Sequence, residues 1–176
     1  YAELAVTTNY SFLRGASHPG DFVIQAASLG YDAIGIADRN SLAGVVRAYE
    51  EWSKLDCAAR PRLLIGARLV FNDGTPDILA YPQDRAAYGR LCRLLSLGKS
   101  RAPKGECFLS FSDLLDPQYR EGLSLILIPA AGTDDIAPLL SRLGADTWLA
   151  ASMLYTGEDR RRLRDLRRVA RAARVP

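Results

Sequence analysis

Few side chains in this sequence are equipped for acid, base, nucleophilic or metal chemistry, and those few stand apart. His18 is the only histidine. An imidazole suits proton transfer near neutral pH, but this one precedes Pro19 in a loop-like segment, where an exposed or packing role is the commoner use. Cys57, Cys92 and Cys107 are odd in number and widely spaced, without the paired C-x-x-C pattern of a zinc site or redox dithiol. Cys92 falls in the helical pattern of LCRLL, where a small apolar side chain on a buried face accounts for it and no histidine accompanies it to make a thiolate. Ser11 has no G-x-S-x-G context and no base close in sequence, which argues against a hydrolase nucleophile. Asp38 follows an apolar run and precedes Arg39. A lone carboxylate beside an arginine is more often a structural ion pair, or a cap for the helix starting near Ser41, than a metal ligand.

The elements that must position these groups are legible as short apolar runs separated by helical patterns. Buried strands are predicted at Leu4–Val6, Ala33–Ile36, Leu63–Val70, Ile78–Tyr81, Leu123–Ile128 and Trp148–Ala151. Helical periodicity covers Asp21–Leu29, ended by Gly30; Leu42–Leu55; Arg85–Leu97, ended by Gly98; Ile136–Leu143, ended by Gly144; and Asp159–Ala173. This alternation predicts an α/β domain with mostly parallel strands, open or barrel-like. In such domains functional groups sit on loops at the C-terminal ends of strands. Those loops are TTNYSFLRG, ADRNSLAG and the neighbourhood of GARL.

A closed eight-stranded barrel takes roughly 250 residues, more than the 176 present. The ending ARAARVP reads as a helix leading into a further strand, so the chain is expected to be the first part of a longer domain. The 48% hydrophobic content supports one substantial core. The charge is only mildly positive, 23 Lys plus Arg against 20 Asp plus Glu, and does not by itself identify a nucleic-acid partner. Cysteine usage suits a reducing cytoplasm, and no apolar run reaches membrane-spanning length. Two surfaces are rich in cations: the turn-rich SRAPKGE segment beginning at Ser100, and EDRRRLRDLRRVARAAR, whose Leu163, Leu166, Val169 and Ala173 are spaced for one buried face. Most arginine-dense helices are simply solvated.

The three strand-end loops resemble the motifs of the polymerase-and-histidinol-phosphatase (PHP) domain. In LAVTTNYSFLRGAS, Tyr10, Ser11, Phe12, Leu13 and Gly15 match the first motif, in which two histidines separated by one residue precede a Tyr-Ser pair and an Asp-Gly turn. Ala5 and Thr7 stand where the family has those histidines, and Arg14 where it has the aspartate. In YDAIGIADRNSLAG, Asp38, Leu42 and Gly44 match a strand ending in Thr-Asp-His, while Arg39 replaces the histidine. In RLLIGARLVF, Gly66 matches a Gly-x-Glu pattern and Arg68 replaces the glutamate. The stretch from Asp84, with LCRLLS and KGECFLSFSDL, is similar to the PHP domains of bacterial C-family DNA polymerases of the DNA polymerase III alpha type, most of all the error-prone branch.

That resemblance, from about Leu4 to Pro176, implies an incomplete N-terminal portion of a (β/α)7-like distorted TIM barrel, with residues 1–176 belonging to one PHP domain and the palm, fingers and thumb lying downstream. It implies a structural, catalytically inactive part of a DNA-directed translesion polymerase. Mg2+ would serve the parent polymerase, no cofactor this part. DNA and mutagenesis accessory proteins would be partners, and the cytoplasm the location. The degenerate metal-site positions are Ala5, Thr7, Arg14, Asp38, Arg39 and Arg68: alanine offers no ligand atom, threonine is a poor ligand, and arginine adds like charge it cannot shed. The arginines at these positions would bind an anion or pair with Asp38 in a buried ion cluster. Lys99, Arg101 and Lys104 are candidate DNA contacts. The alternative is a metal-dependent phosphoesterase or proofreading exonuclease of the PHP superfamily, which needs several of the missing ligands. A pure interaction module with an arginine-rich surface is a third reading.

Overall fold

A computed structural model describes residues 1–129 and 136–176. The strands are β1 (Ala2–Val6), β2 (Ala33–Arg39), β3 (Arg62–Leu69), β4 (Ile78–Pro82), β5 (Leu123–Leu127) and β6 (Thr147–Leu149). The helices are α1 (Pro19–Ser28), α2 (Val45–Lys54), α3 (Arg85–Ser100), α4 (Phe111–Leu115), α5 (Pro117–Arg120), α6 (Ile136–Leu143) and α7 (Asp159–Ala173). One sheet holds all six strands in chain order, β1-β2-β3-β4-β5-β6. Every expected strand and long helix is present, with boundaries shifted by a few residues. The loop part of the Pro129–Asp146 stretch lies partly outside the described residues.

Strand direction differs in part from the expectation. β1, β2 and β3 are mutually parallel, as are β5 and β6, but β4 is antiparallel to both its neighbours. The cause is local. Between β3 and β4 the chain turns through Asn72-Asp73-Gly74, with Gly74 at φ +83 and the Asp73 carboxylate accepting the Thr75 N–H at 3.1 Å. Parallel strands need a long crossover, and a turn this short can only reverse the chain.

Two apolar cores lie on the sheet. Val6, Ile34 and Ile36 pack under Val23 and Ala26 of α1 and Ala48 of α2. The larger core joins β4 and β5 to α3, α4, α6 and Leu166 of α7, where each fully buried leucine contributes about 1.5–3 kcal/mol. α3 does not stop at Gly98 as its glycine suggested but continues to Ser100. Gly98 is buried, and a Cβ there would lie 2.6 Å from Cys107 Sγ and 2.7 Å from Leu109 Cδ2. This glycine serves close packing instead of helix termination.

The sheet is strongly curled. Four adjacent strands in a flat sheet would place β1 and β4 about 14 Å apart, beyond the reach of a tyrosine. Yet the Tyr81 hydroxyl of β4 donates to the Leu4 carbonyl of β1 at 2.5 Å. Its ring crosses β3 and β2 at Gly66 and Gly35, the two places where a side chain would collide with it. The concave face so formed is that of an incomplete barrel, and the ends of β1, β2 and β3 converge on one edge of it. Among the described residues no helix is long and apolar enough to cross a membrane.

Candidate functional site

Strand alternation divides the residues at this edge between two faces. In β2, Ile34 and Ile36 belong to the core beneath α1 and α2, so Asp38 points to that side as well. Asp38 is 1% exposed and accepts from neutral donors. The Thr8 N–H approaches at 2.8 Å, the Thr8 hydroxyl at 2.9 and 3.1 Å, and the Ser11 hydroxyl at 2.7 Å. Ser11 Oγ in turn accepts the Arg39 N–H at 2.9 Å. Gly44 completes the pocket, since a Cβ there would lie 2.7 Å from Asp38 Oδ2. The carboxylate thus ties the loop after β1 to the end of β2, placing TTNYS and ADRNS side by side.

The expected ion cluster does not form. Among the described residues no arginine side chain donates to Asp38. Arg68 Nε instead meets Asp77 Oδ2 at 2.7 Å. Arg39 lines a cleft at the strand ends, and Arg14 lines a separate shallow groove beside Asn9 and Phe12. The reason is the strand period: Arg39 and Arg68 are register partners in parallel strands and share the concave face, opposite to Asp38. Ala5 and Thr7, alternating with the core residue Val6 and with Thr8, belong to that concave side too.

The metal that the resemblance implies finds no suitable donors here. The concave positions offer a methyl group, one hydroxyl and two guanidinium groups. Asp38 faces away and is already engaged by Thr8 and Ser11. Among the described residues no three His, Cys, Asp or Glu side chains are grouped as a metal would require.

The other chemistry-bearing residues are also placed. Ser11, 3% exposed, is committed between Asp38 and Arg39. His18 precedes α1, its Nδ1 lying 3.0 Å from the Asn9 amide nitrogen. The three cysteines are free thiols, and burial pushes the Cys107 thiol up, opposed by nearby Lys99.

Of the candidate DNA contacts, Lys99 and Lys104 stand together at the cleft, a cavity of about 750 Å³ that also takes in Arg39. Arg101 is turned elsewhere, donating to both Asp113 oxygens at 2.9 Å. The cleft's walls are held by backbone ties. Asn40 exchanges two bonds with Val70, at 2.9 and 3.0 Å, and the Phe108 N–H reaches the Gly98 carbonyl at 2.9 Å. Sequence reasoning missed Thr8 as a partner of Asp38, although the run of hydroxyl residues beside the motif was a usable signal. It also missed Phe12 and Phe108 as cleft residues, for which no local pattern gives warning.

Comparison with known proteins agrees with this geometry. The chain is 60% identical, over all its length, to an error-prone DNA polymerase of Rhodopseudomonas palustris (strain BisB5), 54% identical to one of Bradyrhizobium sp. (strain ORS 278) and 47% identical to one of Brucella suis biovar 1 (strain 1330). It spans only 16%, 16% and 17% of those proteins. Its fold is similar to that of a protein described as a metal-dependent phosphoesterase from Bifidobacterium adolescentis, with a TM-score of 0.69 at 14% identity over 99% of this chain and 84% of that one. An amidohydrolase of Chromobacterium violaceum, solved with sulfate and no metal, gives 0.65 at 14% identity with the same coverage. Residues 3–154 match the PHP domain profile, and with the strand-end loops, the curled sheet and the surviving Asp38 at their places, the chain belongs to the PHP domain family.

Proposed function

We propose that this chain is a non-catalytic PHP domain of an error-prone, translesion DNA polymerase. The observation that carries the reading is the joint replacement of metal donors on the concave face, where Ala5, Thr7, Arg39 and Arg68 stand, in a chain similar along its whole length to error-prone DNA polymerases. With the donors gone, the edge keeps its shape through the Asp38 network, and the domain serves as a folded scaffold. The parent polymerase would work on DNA with Mg2+ at carboxylates downstream, where two metal ions activate the primer hydroxyl and steady the leaving phosphate. DNA, mutagenesis accessory proteins and a cytoplasmic role in damage tolerance belong to that same reading, as does the assignment of residues 1–176 to one PHP domain.

The test has two arms. The purified chain is assayed with phosphomonoesters and single-stranded oligonucleotides in Mn2+, Zn2+ or Mg2+, and the expected outcome is no turnover above blank. Metal-dependent hydrolysis lost on chelation would overturn the reading in favour of a phosphoesterase or proofreading exonuclease. In the second arm, the full-length protein is expected to extend a primer past a template lesion in Mg2+. Failure on both damaged and intact template would remove the polymerase assignment.

A further inference from the structure

We propose that the cleft at the ends of β2 and β3 binds single-stranded DNA, taking unpaired bases on its aromatic rim and phosphates on its cations. Four aromatic side chains line it, and while Phe71 is buried in the core, the other three are not: Phe12 is 85% exposed, Tyr10 45% and Phe108 38%. Three cations, Arg39, Lys99 and Lys104, share the lining with a single carboxylate, Glu106. Among the described residues no carboxylate lies within ion-pair distance of any of the three. Arg101, next in sequence to this group, is by contrast neutralised by Asp113.

The combination selects the ligand class. Inorganic phosphate would use the cations and leave the aromatics in water. A duplex keeps its bases stacked on one another and has no use for an exposed phenyl ring. An unpaired strand offers both partners at once, stacking its bases on aromatic faces while its backbone follows the positive lining. The volume of about 750 Å³ falls in the range of sites that enclose a small organic ligand, room for one or two nucleotides. The walls are tied before any ligand arrives, by the Asn40 and Val70 pair and by the Leu109 N–H on Asn72 Oδ1 at 3.1 Å. Little ordering is therefore left to oppose binding. The inference leans on the polymerase reading only in choosing DNA over RNA.

Fluorescence anisotropy of a labelled oligothymidylate, titrated with the purified chain at several salt concentrations, tests it. The double variant Lys99→Glu with Lys104→Glu is expected to weaken binding at least tenfold and to flatten the salt dependence by about 1.4 in log-log slope, two phosphate contacts' worth for a single strand. Phe12→Ala is expected to weaken binding roughly fivefold or more with the salt slope unchanged, and Phe12→Trp to restore it. These side chains are exposed, so circular dichroism should show all variants folded. Equal binding by the cleft variants and the wild type would overturn the proposal. So would loss of binding only on Arg160→Glu, Arg164→Glu and Arg167→Glu, which would move the site to α7. Equal competition by duplex, or displacement by millimolar inorganic phosphate, would show a merely electrostatic surface. Lesion bypass by the full-length protein is measured separately, so a failure here leaves the polymerase assignment standing and the reverse also holds.

Discussion

At the scale of single residues, Asp38 shows how a buried carboxylate can be held by neutral donors. Buried and, among the described residues, without a cationic partner, its carboxylate depends on three hydrogen-bond donors from Thr8 and Ser11. Bonds to an ionised acceptor are stronger than neutral ones, and removing the acceptor strands all three donors in an apolar setting. Asp38→Ala is therefore expected to destabilise the chain by about 2–4 kcal/mol, and Ser11→Ala, which also releases the Arg39 N–H, by about 1–2 kcal/mol. Urea unfolding with and without zinc measures both. If arginines held the carboxylate, Arg39→Ala would cost as much as Asp38→Ala; the geometry predicts a change under about 0.5 kcal/mol for that exposed side chain. The sequence located Asp38 but not its partners, because a loop's hydrogen bonding follows from its three-dimensional path. The arginine alternative failed on a fact the sequence did contain: adjacent strand residues point to opposite faces.

At the scale of elements, α4 and the segment before it are held by side-chain acceptors. Ser110 caps α4, its hydroxyl and N–H meeting Asp113 Oδ2 at 2.8 Å, while Arg101 clamps the same carboxylate and Asp73 accepts the Phe111 N–H at 2.6 Å. Burial pushes Asp113 upward, but the Ser110 bonds and Arg101 together outweigh it and leave the carboxyl below its ordinary value. Asp73 behaves alike, burial being overcome by the Phe111 and Thr75 donors. For a depressed carboxyl, the unfolded chain binds the proton first. The stabilisation is thus complete above the ordinary aspartate value of about 3.9 and is lost as pH falls below it through the lowered folded-state value. Corrected for the intrinsic pH dependence of exchange, the protection of amides in residues 108–115 should fall over that acidic window, and Arg101→Ala, which returns the folded-state value of Asp113 toward the ordinary one, should make the fall smaller. A fall of the same size in the variant would mean that Arg101 contributes nothing to the clamp. Neither α4 nor α5 was anticipated from sequence. Both span barely a turn and are set by caps at Ser110 and Asp116 instead of by periodicity, whereas α6 and α7, with sustained apolar stripes, were found to the residue.

At the scale of the whole molecule, curvature joins the sheet to its edge. The α/β class and the strand positions followed from apolar runs and the incomplete barrel from family motifs, but the reversal at β4 did not, although Asn72-Asp73-Gly74 announces a turn. Tyr81 explains why glycine recurs inside β2 and β3, where strands normally avoid it. A Cβ on Gly66 would lie 2.6 Å from Tyr81 Cε1 and 2.8 Å from the Ala80 carbonyl oxygen, so Gly66→Ala is expected to cost about 1–3 kcal/mol by overpacking. Tyr81→Phe removes only the hydrogen bond to Leu4 and is expected to cost about 0.5–1.5 kcal/mol. Tyr81→Ala empties the concave face, and there Gly66→Ala should be partly relieved, the Ala80 carbonyl still resisting. A double-mutant cycle by thermal unfolding should accordingly show a coupling of roughly 1 kcal/mol or more between the two positions. Strictly additive costs would mean that the neighbouring backbone, and not the tyrosine spanning the sheet, demands the glycine, and the ring would then be a passenger on the curl instead of its strut.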